Sequence, residues 1–124
     1  MPRLSLRTAA LLALAGLLTA CGGPGDGQAG AIGDPRRGAE LTRSFGCVAC
    51  HQIPGVRGAQ GRVGPPLNHM GSRTMIAGLL PNTPSNMIRW LRNPQSIVPG
   101  NAMPNMELSE HDARDIAAYL QTLR

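Results

Sequence analysis

Five consecutive residues limit what this chain can fold into more than any other feature: Cys47-Val48-Ala49-Cys50-His51. Two thiols at this spacing, followed at once by an imidazole, form the attachment motif of a c-type haem. Each thiol can add to one vinyl group of the porphyrin, and the histidine then lies against the iron as the proximal ligand. Two other chemistries use the same residue types. A redox C-x-x-C pair does not need the histidine. A zinc site needs four ligands, yet the other histidines are His69 and His111, and the one remaining cysteine, Cys21, lies far upstream. One covalent haem c is therefore the expected cofactor.

A cofactor also answers a problem of size. Residues 34–124 carry only Phe45, Trp90 and Tyr119 as aromatics. A chain this short buries a modest core by itself and needs a disulfide, a metal or a cofactor as reinforcement.

Residues 1–20 read as a removable leader. Arg3 and Arg7 precede the apolar run Ala9 to Leu18, the layout of a secretory signal. The run falls short of the roughly 20 residues that a spanning helix needs. It ends in Leu18-Thr19-Ala20-Cys21, which resembles a bacterial lipobox. That resemblance implies cleavage before Cys21 and lipidation of its thiol. One acyl chain binds a membrane weakly and two anchor it stably. Without residues 1–20 the chain keeps ten basic and seven acidic residues, all the basic ones arginine. The balance is mildly basic, and no arginine cluster sits beside stacking aromatics. Nucleic acid is not an expected partner.

Residues 22–33, rich in glycine, form a linker by composition. As a flexible coil it spans on the order of 20 Å. A helix is expected from Asp34, a good N-cap before Pro35, to about Phe45, breaking at Gly46. Residues 52–66 are a Gly/Pro-rich loop. A second helix spans Ser85 to Arg92, capped by Thr83 or Ser85 and ended by Asn93-Pro94. A further loop carries Pro99-Gly100 and Met103-Pro104. The last helix follows Ser109-Glu110-His111-Asp112, which resembles a capping box with Asp at the fourth place, and buries Ile116, Ala117, Leu120 and Leu123 at helical spacing. No alternation strong enough for a sheet is present.

With these elements in hand, residues 34–124 resemble class I c-type cytochromes. The resemblance implies an all-α fold, three to five helices and loops wrapped around one covalently attached haem. Gly64-Pro65-Pro66-Leu67 is similar to that family's G-P-x-L segment, in which the proline carbonyl accepts a hydrogen bond from the proximal histidine and the leucine packs on the haem. Carried over, Pro65 orients His51 and Leu67 lines the pocket. The family's second axial ligand is a methionine after a helix ending in N-P and a P-G turn, which points to Met103. Met106, three residues on, is the alternative. Gly38 and Tyr119 match a close contact between first and last helices, although Thr42 stands where relatives often carry an aromatic. Trp90 matches an aromatic facing the haem, there to bond the sulfur or a propionate, or to pack. Asn101 is a candidate propionate donor.

His/Met ligation closes the iron to substrate. The expected function is outer-sphere electron transfer in a respiratory chain rather than catalysis, with Arg57 and Arg62 steering an acidic partner. A terminal oxidase or a quinol-oxidising complex in the same membrane is the expected partner class, and the outer side of the cytoplasmic membrane the expected location. The alternatives are a ligand-binding or peroxidatic haem protein, which needs an open sixth position, and a haem subunit fixed in a dehydrogenase or oxidase complex.

Overall fold

The computed structural model describes residues 32–124. The leader, Cys21 and all but the last two linker residues lie outside them. Helix α1 spans Pro35–Ser44, and Asp34 caps it by accepting hydrogen bonds from the amides of Arg36 and Arg37. It ends where Gly46 takes a left-handed conformation at φ 75°, a turn that glycine adopts without cost. A single turn, α2 (Cys47–Cys50), follows directly. Next comes a long connection with a bridge between Gln52 and Gln60 and a 3₁₀ turn over Met70–Ser72.

Strands β1 (Met75–Ile76) and β2 (Leu80–Pro81) pair antiparallel, with Ile76 opposite Leu80. This hairpin was not expected from the sequence. Its two-residue strands are too short to show alternation, and its turn is set by Ala77 and Gly78, both at positive φ. Helix α3 (Pro84–Arg92) is capped by the Thr83 hydroxyl rather than by Ser85. Asn93-Pro94 ends it as expected, but Asn93 also caps a further turn, α4 (Pro94–Ile97). Helix α5 covers Glu110–Thr122, with Ser109 accepting from the amide of Asp112. The Asp112 carboxylate does not reach back to the Ser109 amide, as a capping box would. It accepts instead from the Ser109 hydroxyl and from Arg37. Among the described residues no helix is long and apolar enough to cross a membrane.

The fold is the expected one, with five α-helices and one short hairpin among the described residues. Helix α5 is its axis. It buries Ala113, Ile116, Ala117 and Leu120 against Met87 and Leu91 of α3, Ile76 of β1 and Met70. Each large apolar side chain so buried contributes about 1.5–3 kcal/mol. Helix α1 crosses α5 at Gly38, where a Cβ would collide with the Asp115 carbonyl and stand 2.9 Å from the Tyr119 Cβ. Arg37 closes the crossing by donating to the carboxylates of Asp112 and the buried Asp115. Packing extends upstream of the Asp34 cap. Ile32 lies against the core, and a Cβ on Gly33 would meet the Arg114 carbonyl group at 2.7 Å. Composition marked both as linker, yet the absent side chain of Gly33 is what lets the chain lie on α5.

Candidate functional site

One apolar cavity of about 440 Å³ lies between α2, the 63–76 segment, α3 and the loop after α4. It is lined by every candidate site residue of the domain: Cys47, Cys50, His51, Pro65, Leu67, Trp90, Asn101 and Met103. They arrive from four separate stretches of chain.

The proximal wall is built around His51. Its Nδ1 lies 2.7 Å from the carbonyl oxygen of Pro65. A carbonyl only accepts, so Nδ1 carries the proton and donates it, and the Nε2 lone pair is left for a ligand. The ring is held from a second side by Gly64, where a Cβ would stand 2.7 Å from Nδ1. The amide of Gly64 donates to the Cys50 carbonyl at 2.8 Å and that of His51 to the Cys47 carbonyl at 2.9 Å. The G-P pair and the C-x-x-C-H turn are thus tied into one unit. Burial pushes the Cys47 thiol above its ordinary pKa, as expected in an apolar wall.

The wall that carries Met103 has a different construction. Among the described residues, no backbone–backbone hydrogen bond involves residues 102–108. Side chains hold Met103 instead: its amide donates to Asn101 Oδ1 at 2.8 Å, and its carbonyl accepts from Gln95 Nε2 at 2.7 Å. Met106 lines the same cavity, but neither its amide nor its carbonyl has such a partner. Asn101, the expected propionate donor, also lines the cavity. Its amide nitrogen donates to the carbonyls of Val98 (2.6 Å) and Pro94 (3.3 Å), so its donors face the loop.

Trp90 and Leu67 line the cavity and are half-buried. Thr42 lines it too. It is buried, with its hydroxyl turned to the Ala39 carbonyl at 2.7 Å, and so fills less of the α1–cavity wall than an aromatic would. His69, Arg57 and Arg62 are exposed and outside the cavity wall. His111 is exposed, with Nδ1 accepting from Arg37 at 3.1 Å. Among the described residues no group of three or more His, Cys, Asp or Glu side chains converges, so the zinc alternative finds no ligand set.

Sequence reasoning missed three residues here. Gln95 braces the Met103 loop. Gly64 packs on the His51 ring. Arg73 is, among the described residues, the one Arg, Asp or Glu lining the cavity, and it donates to the carbonyls of Pro66 (2.6 Å) and Asn68 (3.1 Å). Gly64 was within reach as part of the G-P-x-L segment. The other two act across loops that carry no periodic pattern.

The sequence matches the cytochrome c family over residues 35–124. The chain is a member of the cytochrome c family. Among curated relatives, cytochrome c2 of Rhodopila globiformis is 31% identical over 104 residues, covering 74% of this chain and 95% of that protein. Cytochrome c oxidase subunit 2 of Alkalihalophilus pseudofirmus is 36% identical over 89 residues, 71% of this chain and 25% of the subunit. The same subunit of Bacillus subtilis is 33% identical over 93 residues, 72% and 26%. This chain therefore spans about a quarter of the oxidase subunits it matches. Membership implies covalently bound haem c, and the donor set fits it. Two thiols, an imidazole with a free Nε2 and a thioether surround one apolar cavity, the ligand types by which such haem is held.

Proposed function

We propose that this cytochrome c domain is a membrane-tethered, single-haem electron carrier serving a respiratory chain. The observation that carries the reading is the gathering of Cys47, Cys50, His51 and Met103 around one apolar cavity. Cys47 and Cys50 would hold the haem through thioether bonds, with His51 Nε2 and the Met103 sulfur as the two ligands to its iron. When bound, haem c supplies a one-electron ferric/ferrous couple. The chain tunes that couple. A Met103 thioether on the iron would favour the ferrous state and raise the potential, and the Pro65 carbonyl fixes the orientation of the His51 ring. Arg73, in the cavity lining, is the side chain that would pair with a propionate carboxylate, a pairing suited to a guanidinium. Trp90 and Leu67 exclude water. Met103 is favoured over Met106 because its backbone is held on both sides.

Residues 41–106 contain Arg43, Arg57, Arg62, Arg73, Arg89 and Arg92 and no acidic residue. Val63 and Met75 border the cavity with exposed apolar surface. A redox partner with an acidic face fits this composition. The likeness to oxidase subunits favours a terminal oxidase over a quinol-oxidising complex as that partner. Lipidation of Cys21 holds the domain at the outer face of the cytoplasmic membrane. A fixed oxidase subunit is the second reading, favoured by the same relatives; purification as a free monomer argues against it.

Spectra and redox titrations of Met103→Ala and Met106→Ala test the site. Met103→Ala is expected to lower the potential and open the iron, with Met106→Ala close to wild type; the reverse exchanges the two roles. A high-spin native ferric spectrum, or ready carbon monoxide binding without denaturant, overturns the carrier in favour of a ligand-binding or peroxidatic protein.

A further inference from the structure

The loop that carries Met103 lacks the support that loops of this length ordinarily draw from their own backbone. From Ala102 to Leu108, among the described residues, no amide or carbonyl bonds another backbone group. A methionine side chain adds little rigidity of its own, since it is unbranched with three rotatable bonds, and a thioether is a weak donor. Something outside the loop must fix where the sulfur lies.

Gln95 is placed to do this. It sits in the first turn of α4, whose base is fixed by fully buried Pro94 and by the Asn93 cap on Ser96 at 3.2 Å. Its Nε2 donates to the carbonyls of both Asn101 (2.9 Å) and Met103 (2.7 Å). Its Oε1 accepts from the amide of Gly100 at 2.9 Å. Three points of the loop therefore converge on one side-chain amide, and one of them is the peptide of Met103 itself. Asn101 completes the brace on the other side of that residue, its Oδ1 accepting from the Met103 amide at 2.8 Å.

We propose that Gln95 is the positioning residue for the axial methionine: it sets the fraction of molecules in which the Met103 sulfur is on the iron, and through it the potential and the access of outside ligands. The proposal rests on the reading of Met103 as the ligand. An amide is the side chain the task requires, because the loop presents two carbonyls and one N–H to the same point. A carboxylate of equal size satisfies only the N–H.

The test uses the holoprotein in the ferric state. Imidazole is titrated in as a competing ligand, and two signals are followed: its apparent association constant and the weak near-infrared sulfur-to-iron charge-transfer band. A net hydrogen bond is worth a factor of about 2–13 in an equilibrium. Gln95→Ala loses both Nε2 bonds and is expected to raise the imidazole association constant about tenfold or more. Gln95→Glu keeps the size and the Oε1 acceptor, and is expected to behave like the alanine variant at neutral pH. Thr83→Ala removes the α3 cap without touching the loop, and is expected to change imidazole binding by less than about twofold. Wild-type imidazole affinity in Gln95→Ala overturns the proposal. So does wild-type affinity in Gln95→Glu, which would make the role one of packing, or an equal rise in Thr83→Ala, which would make it one of general stability. Failure of the ligand reading looks different: the charge-transfer band persists in Met103→Ala or vanishes in Met106→Ala, whatever Gln95 does.

Discussion

Replacing Gly64 by alanine tests the proximal wall with a single methyl group. The backbone there is not in the left-handed region, so the cost arises from contact alone. A Cβ would stand 2.7 Å from Nδ1 and 2.9 Å from Nε2 of His51, and closer still to Cε1. Ordinary contact is about 3.5–4.0 Å, so the ring or the 63–65 segment must retreat by roughly 1 Å. Neither moves freely. The ring is bonded to the Pro65 carbonyl at 2.7 Å, and the Gly64 amide to the Cys50 carbonyl at 2.8 Å. Overpacking of this kind costs about 1–3 kcal/mol, and the stretched imidazole bond about 1 kcal/mol more. The expected loss is about 2–4 kcal/mol, a fall in Tm of roughly 10–20 °C for a domain of this size. Thermal unfolding of the holoprotein measures it, and the potential should shift as the His51 bond loosens. The neighbouring Val63→Ala, at a side chain 73% exposed, should change stability by no more than about 0.5 kcal/mol. A Gly64→Ala protein with the Tm and potential of the wild type would refute the reasoning.

Three further outcomes are expected. The Ser109 hydroxyl, and after it Arg37, hold the Asp112 carboxyl below the usual range, and Arg114 does the same for Glu110. With the folded values depressed, this stabilisation is complete above the unfolded value of about 4 and is lost as pH falls through the folded ones. Tm should be flat from neutral pH to about 5 and drop below about 4. Asp112→Asn should shallow that drop, and an unchanged profile would discount the pairing. Gly38→Ala should destabilise by about 1–3 kcal/mol in urea despite alanine's better helix propensity, because the Cβ meets the Asp115 carbonyl; a rise in stability would show that the α1–α5 crossing can open cheaply. Cys21→Ser should move the cytochrome from membranes to the soluble fraction, and full membrane retention would exclude the lipid anchor.

What was legible in the sequence was local. Asp34, Thr83 and Ser109 act on amides two or three residues downstream, so the three long helices could be found from neighbouring residues. The C-x-x-C-H and G-P-x-L segments are local too, and the structure joins them through His51 and Pro65. What was not legible depends on separation. Arg37 meets Asp115 across the α1–α5 crossing, and Gln95 reaches Asn101 and Met103 over a loop without repeat. The sequence offers Asn101 as a candidate propionate donor. Only the folded loop shows that its donors are already engaged.

The attachment of the chain at Gly33 and Asp34 has a mechanical side. The Asp34 amide donates to Asp115 Oδ1 at 2.8 Å, while Arg37 grips Oδ2 of the same carboxylate. A pull arriving from upstream is therefore shared between α1, through the chain, and α5, through this carboxylate. The ten residues of α1 put about 15 Å of rod between that clamp and the cysteine motif. A load on residue 34 thus has two routes into the domain, and the one through Asp115 bypasses the cysteine motif.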